Sequence, residues 1–127
     1  MNKQKPDAIE RTMGQTKIIY PSDIKWEEHP VFSGLKSTML VSNRDEQMDL
    51  TCMLTRVSAG TVIAMHTHTC DEIIYVIEGD AVMSIEGMSD IRMTPGTFLR
   101  IPRSVKHQPH SVKKEILAYN VFYPFLT

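Results

Sequence analysis

The sequence predicts an all-β sandwich or barrel, and three observations carry that expectation. From residue 35 onward, short apolar or alternating runs recur at even spacing. Gly, Pro, Asn and Asp signals punctuate them, and no helical period is sustained. No internal repeat, linker or low-complexity segment divides the 127 residues. A single domain of this size buries roughly two thirds of its unfolded surface, so neither a metal nor a disulfide is needed merely to hold it together.

Residues 1–15 are polar and read as a loose arm, with one helical turn expected over 7–13. Residues 17–20 read as a short strand stopped by Pro21. Residues 24–32 contain Trp26, His29 and Pro30 and form an irregular lead-in that lays aromatic surface on a sheet face or on a partner subunit. Residues 1–34 are therefore expected as an N-terminal arm and lead-in, and 35–127 as the barrel domain.

Within that domain strands are expected over 35–42 and 50–57, joined by the polar turn 43–47. The Ser58-Ala59-Gly60 turn leads to strands over 62–68 and 72–77. A turn at Glu78-Gly79-Asp80 leads to 81–85, and Glu86-Gly87 to 91–93. Pro95-Gly96 precedes 98–101, and runs over 112–117 and 119–123 complete the series. The run 72–77 is apolar on both parities: Ile74 and Val76 share the face of Glu72, while Ile73, Tyr75 and Ile77 occupy the other. A strand that hides both faces needs cover outside the barrel as well as a core within it. That pattern predicts a homodimer.

Charged residues make up 23% of the chain with a net charge of −1, which excludes the basic footprint of a nucleic-acid binder or a polybasic membrane tail. No apolar run approaches the ~20 residues that a bilayer requires. The expected setting is soluble and cytoplasmic, with a small molecule or a second copy as partner. Cys52 and Cys70 are too few for a secreted disulfide framework, and the nine methionines read as adaptable packing.

The chemistry-bearing pattern is Gly60-x5-His66-x-His68-x3-Glu72-x6-Gly79. His66 and His68, two apart on an extended segment, leave the same face. Five specified residue types at fixed spacing match by chance on the order of once in 10^5 chains of this length. A second pattern, Gly96-x5-Pro102-x4-His107, swings a further histidine back toward the first after a proline turn. Three imidazoles and a carboxylate suit one divalent transition ion, Fe, Mn, Ni, Co or Zn, and leave positions open on a six-coordinate ion.

Together these two patterns resemble the cupin superfamily over about residues 36–124. The resemblance implies a double-stranded β-helix, a jelly-roll-like barrel, with His66, His68, Glu72 and His107 as metal ligands and Gly60, Gly79, Gly96 and Pro102 as turn formers. The chain departs from the family pattern at Ser104, where a Gly is usual, and at Ser111, where an Asn is frequent. Neither is a ligand position.

Other candidates are secondary. Arg56 or Arg100, if inward, would clamp a substrate carboxylate in bidentate fashion. Tyr119, Asn120 or Tyr123 on the last strand offers a hydrogen bond or a proton to a cavity. Cys70 lies in the turn between two ligands and reads as a thiol that does not ligate, Cys52 as a small core residue, and His110 as solvated surface. Similarity to the cupins implies a metal-dependent enzyme on a small organic molecule, with dioxygenase-like oxidation ahead of isomerase or lyase chemistry on a sugar acid. In the small sugar-acid cupins, which the C-terminal residues 119–124 resemble, an Asp stands where this chain has Asn120, and an amide cannot serve as a carboxylate base. A metal-dependent binding or sensor module is the non-enzymatic alternative.

Overall fold

The computed structural model describes residues 15–127, so the helical turn expected over 7–13 lies outside the described residues. Seven strands follow in chain order: β1 (Glu27–Glu28), β2 (Leu35–Val41), β3 (Thr51–Val57), β4 (Asp71–Ile85), β5 (Ile91–Met93), β6 (Phe98–Ile101) and β7 (His107–Tyr123). Every pairing is antiparallel, in the order β1-β2-β3-β7-β4-β5, with β6 added to β4. Inward residues of β2, β3, β4, β5 and β7 line one common cavity, so the sheet curls on itself into an all-β barrel.

The strands are longer and fewer than the turn signals suggest. Residues 72–77 and 81–85 form one strand, β4, that runs straight through Gly79. Gly79 sits at φ 116°, and a Cβ there would lie 2.5 Å from the Glu115 carbonyl oxygen and 2.7 Å from Ile116 Cα. The glycine therefore marks where the β7 backbone crosses β4 closely, amid three register shifts between Val76 and Val82, rather than a reversal of direction. Likewise 112–117 and 119–123 join with 107–111 into β7, because Ala118 continues the inward alternation of Ile116 and Asn120.

Three other expectations are corrected. Residues 62–68 do not join a ladder beyond the single bridge His66↔His107. Residues 17–20 are not a strand; they lead into a short 3-10 turn at Pro21–Asp23, closed by Asp23 N–H donating to Tyr20 O at 2.8 Å. The turn 43–47 contains one turn of helix, Asn43–Glu46. Ser42 Oγ accepts from Asp45 N–H at 3.0 Å, Glu46 Oε2 accepts from Ser42 N–H at 2.7 Å, and Lys17 pairs with the same carboxylate. That reciprocal capping satisfies donors which a plain turn would leave to water.

The core inside the barrel is continuous, from Val57 and Ile63 through Ile74, Val76, Met83, Met93, Leu99 and Ile101 to Ile116 and Ala118. Val76, Met83 and Ile101 are fully buried, each contributing ~1.5–3 kcal/mol by removal from water. A smaller cluster of Met53, Cys70 and Phe122 closes the end of the barrel where the histidines lie. Outside, Tyr75, Ile77 and Phe98 are exposed, so among the described residues little covers this part of the outer face.

Candidate metal centre

Four side chains from three segments converge at one end of the barrel cavity. His107 opens β7, and its backbone exchanges both hydrogen bonds with His66, N–H to O at 2.9 Å and O to N–H at 3.0 Å. Residues paired in this way across an antiparallel ladder project to the same face, which brings the two rings to 4.4 Å between centroids. His68, two residues on, places its ring 5.0 Å from His66 and 5.3 Å from His107. Glu72, at the start of β4 and 6% exposed, faces inward from the next strand.

Ligating atoms of His66, His68 and His107 all lie within 4.8 Å of one another. Glu72 Oε1 stands 3.3 Å from His107 Nε2 and 3.6 Å from His68 Nε2. Two imidazoles are fixed by backbone carbonyls two residues earlier: His66 Nδ1 bonds Ala64 O at 2.8 Å and His107 Nδ1 bonds Val105 O at 3.0 Å. A carbonyl only accepts, so each Nδ1 carries the proton and each Nε2 presents a lone pair.

Those lone pairs and the Glu72 carboxylate therefore face one another with nothing but acceptors. Such an arrangement is costly unless a cation, either a proton or a metal ion, lies among them, and the donor set fits a divalent transition ion. The proton preferences of the two rings differ. Burial pushes the His68 imidazole below its ordinary value; Glu72 opposes that shift, and the neighbouring His66 and His107 add to it. Burial also works against charge on His107, but the hydrogen bond to Glu72, with the Val105 carbonyl and the Glu72 charge, outweighs it and raises that ring above its ordinary value.

Glu72 is itself held from behind. Asn120 Nδ2 donates to Glu72 Oε2 at 3.0 Å, and Thr55 Oγ1 donates to Asn120 Oδ1 at 2.7 Å. Asn120 is thus the one secondary candidate that reaches the site, and it acts on the carboxylate rather than on open space. The other candidates lie elsewhere. Arg56 is on the outer face, stacked 4.7 Å over Trp26 and 3.0 Å from Glu115 in an ion pair too bent for a hydrogen bond. Arg100 is exposed and pairs with Asp71 at 3.2 Å. Tyr119 is on the outer face beside Cys52, whose hydrogen bond, together with burial, pushes the phenol up to about 12. Tyr123 is exposed. His110 joins Ser84 and Ser111 in hydrogen bonds of 2.7 and 3.0 Å and does not line the cavity. Cys70 is buried against Met53 and Phe122 and does not line the cavity, and burial, followed by the Glu72 charge, raises its thiol.

The cavity has a volume of about 250 Å³. Its walls are mainly apolar, and among the described residues no Lys or Arg lines it. Apart from the four converging residues and Asn120, its polar groups are His29, Ser37 and Thr55. Sequence reading missed these three. For Ser37 and Thr55 a signal existed, since each holds an inward parity between apolar neighbours, Leu35 and Met39 or Met53 and Val57. His29 gave none, because it arrives from the irregular lead-in, where its Nδ1 accepts from the N–H groups of Val31 and Phe32 at 3.1 Å each.

Among the described residues no helix is long and apolar enough to cross a membrane. The architecture has many solved counterparts. Ectoine synthase from P. lautus superposes with a TM-score of 0.77 at 22% identity, covering 88% of this chain and 80% of that one. KdgF from Halomonas sp. gives 0.72 at 22%, covering 85% and 94%, and an RmlC-like cupin from Shewanella frigidimarina gives 0.73 at 21%, covering 87% and 92%. At these identities the likeness establishes the fold. In sequence, an uncharacterized protein of Streptomyces coelicolor is 28% identical over 68 residues, 54% of this chain and 64% of that protein's length. The cupin-domain family model matches residues 53–123, more than half of the chain, from within β3 to the end of β7, so the protein belongs to the cupin family.

Proposed function

We propose that this cupin is a metal-dependent enzyme acting on a small, largely apolar organic molecule, with dioxygenase-like oxidation as the favoured chemistry. The observation that carries the reading is the convergence of three imidazoles and Glu72 on the end of an apolar cavity of about 250 Å³. His66, His68, His107 and Glu72 would hold the ion. When bound, a divalent transition ion supplies Lewis acidity and open coordination positions. The apolar walls exclude water from it and receive the hydrocarbon part of a substrate, while His29, Ser37 and Thr55 orient its polar atoms.

The cavity lining weighs against a sugar acid. Among the described residues no Lys or Arg lines the cavity to pair with the carboxylate that such a substrate would bring, and the Asn120 amide, already engaged on both sides, offers no base. Relatives in fold include a polyketide cyclase from Streptomyces resistomycificus and a predicted oxalate decarboxylase from Thermotoga maritima. Fold alone thus spans several activities and does not choose among them. A second copy is the proposed cover for the exposed Tyr75, Phe98 and Tyr119 surface.

Metal analysis of protein purified without chelator is expected to show about one ion per chain, and His66→Ala/His68→Ala to lose it. Equal occupancy in the double variant would remove the site. Oxygen uptake by the iron-loaded protein with a panel of small apolar substrates then separates oxidation from isomerase or lyase chemistry, which consumes no dioxygen. Specific ligand binding without turnover would instead establish the sensor alternative.

A further inference from the structure

Asn120 is a buried amide on the inner wall, and what it does is settled by its two partners. Its neighbours in the sheet are Ile74 on β4 and Met53 on β3, so it sits on the central strand between the one carrying Glu72 and the one carrying Thr55. We propose that Asn120, oriented by Thr55, is a positioning residue that makes Glu72 offer one oxygen, and only one, to the metal ion. The inference rests on the reading of the histidine cluster as a metal site.

The hydrogen-bond chain admits a single sense. The Glu72 carboxylate only accepts, so the amide must turn its NH2 toward it. That leaves Oδ1 facing Thr55, whose hydroxyl supplies the proton across 2.7 Å. A carboxylate in place of the amide would set two like charges about 3 Å apart. An aliphatic residue would leave Glu72 Oε2 buried without a partner. Asparagine is the residue type of this size that satisfies both neighbours.

The two oxygens of Glu72 are thereby given different tasks. Oε2 is taken by Asn120 at 3.0 Å, while Oε1 faces His107 Nε2 at 3.3 Å and His68 Nε2 at 3.6 Å. The hydrogen bond turns Oε2 toward the Asn120 amide, which favours coordination through Oε1 alone. Four protein donors would then contribute one atom each, and a six-coordinate ion would keep two positions open for substrate and a second reactant. Released from Asn120, Glu72 would be free to fill one of those positions.

Titration with Co2+, followed by its visible absorption, tests this on the whole chain. Asn120→Ala and Thr55→Val are expected to weaken Co2+ binding by about 10–100-fold and to change the absorption band in the same sense. Thr55→Ser, which keeps the hydroxyl, is expected to restore both the affinity and the band. Wild-type affinity and spectrum in Asn120→Ala and Thr55→Val would overturn the proposal, as would Thr55→Ser behaving like Thr55→Val. Should Asn120→Ala not fold, the two Thr55 variants decide alone. Failure of the wild-type protein to bind Co2+ would overturn the metal reading as well, which distinguishes that outcome from loss of the positioning role only.

Discussion

Replacement of Gly79 by alanine tests the account of the β4–β7 crossing. Two costs add at this position. The backbone at φ 116° lies in a region reserved almost wholly for glycine, worth about 1–3 kcal/mol for any other residue. The new Cβ would also stand 2.5 Å from Glu115 O and 2.7 Å from Ile116 Cα, both main-chain atoms that cannot step aside without opening the ladder. Overpacking of this kind costs about 1–3 kcal/mol. A lower unfolded-state entropy returns at most ~1 kcal/mol. The expected net loss is about 1–6 kcal/mol, a large part of the ~5–15 kcal/mol typical of a domain.

Gly87→Ala is the control, because that residue has φ 80° but open space around its Cβ position. It bears the backbone cost without the clash. Urea unfolding followed by the fluorescence of Trp26, the single tryptophan, measures both variants. Gly79→Ala is expected to lose about 1–3 kcal/mol more than Gly87→Ala, the range of the overpacking cost. Equal losses would refute the close approach and leave Gly79 as an ordinary turn residue.

Two further outcomes follow from the same geometry. Ser104 holds φ 66° and donates its N–H to His68 O at 2.9 Å, so Ser104→Gly relieves left-handed strain while keeping the bond; a gain of about 0.5 kcal/mol in urea unfolding is expected, as strain relief slightly exceeds the added unfolded entropy. Tyr119, with its phenol pushed up to about 12, is expected to ionise well above the ordinary tyrosine range in an ultraviolet titration, and Cys52→Ala to lower its midpoint. Its folded value lies above the unfolded one, so the associated stability is complete below pH ~10 and fades as the pH rises toward 12.

Spacing, together with the family resemblance it carries, pointed to the residues that meet. His66, His68, Glu72 and His107 were legible because a two-residue interval fixes a shared face on extended chain, and because glycine and proline at set intervals announce where it turns. The all-β class was legible for the same reason, since alternation is a local property. Strand lengths were not. Gly79 signals a turn as readily as a close crossing, and only β7 pressing on it shows which one occurs. Ser104 and Ser111, where the family favours Gly and Asn, keep the left-handed backbone at φ 66° and 51° although their side chains disfavour it.

Facing was decided by tertiary structure. Arg56, Arg100 and Tyr119 share strands with inward residues, and one step of parity with the curl of the sheet sets them outside. Asn120, one residue from Tyr119, falls inside and meets Thr55 from a strand 65 positions away in the chain. The sequence names the atoms that can hold an ion, because donor chemistry belongs to single residues. Which oxygen of Glu72 is offered, and which walls surround the site, depend on groups brought together only by folding, and no local period encodes them.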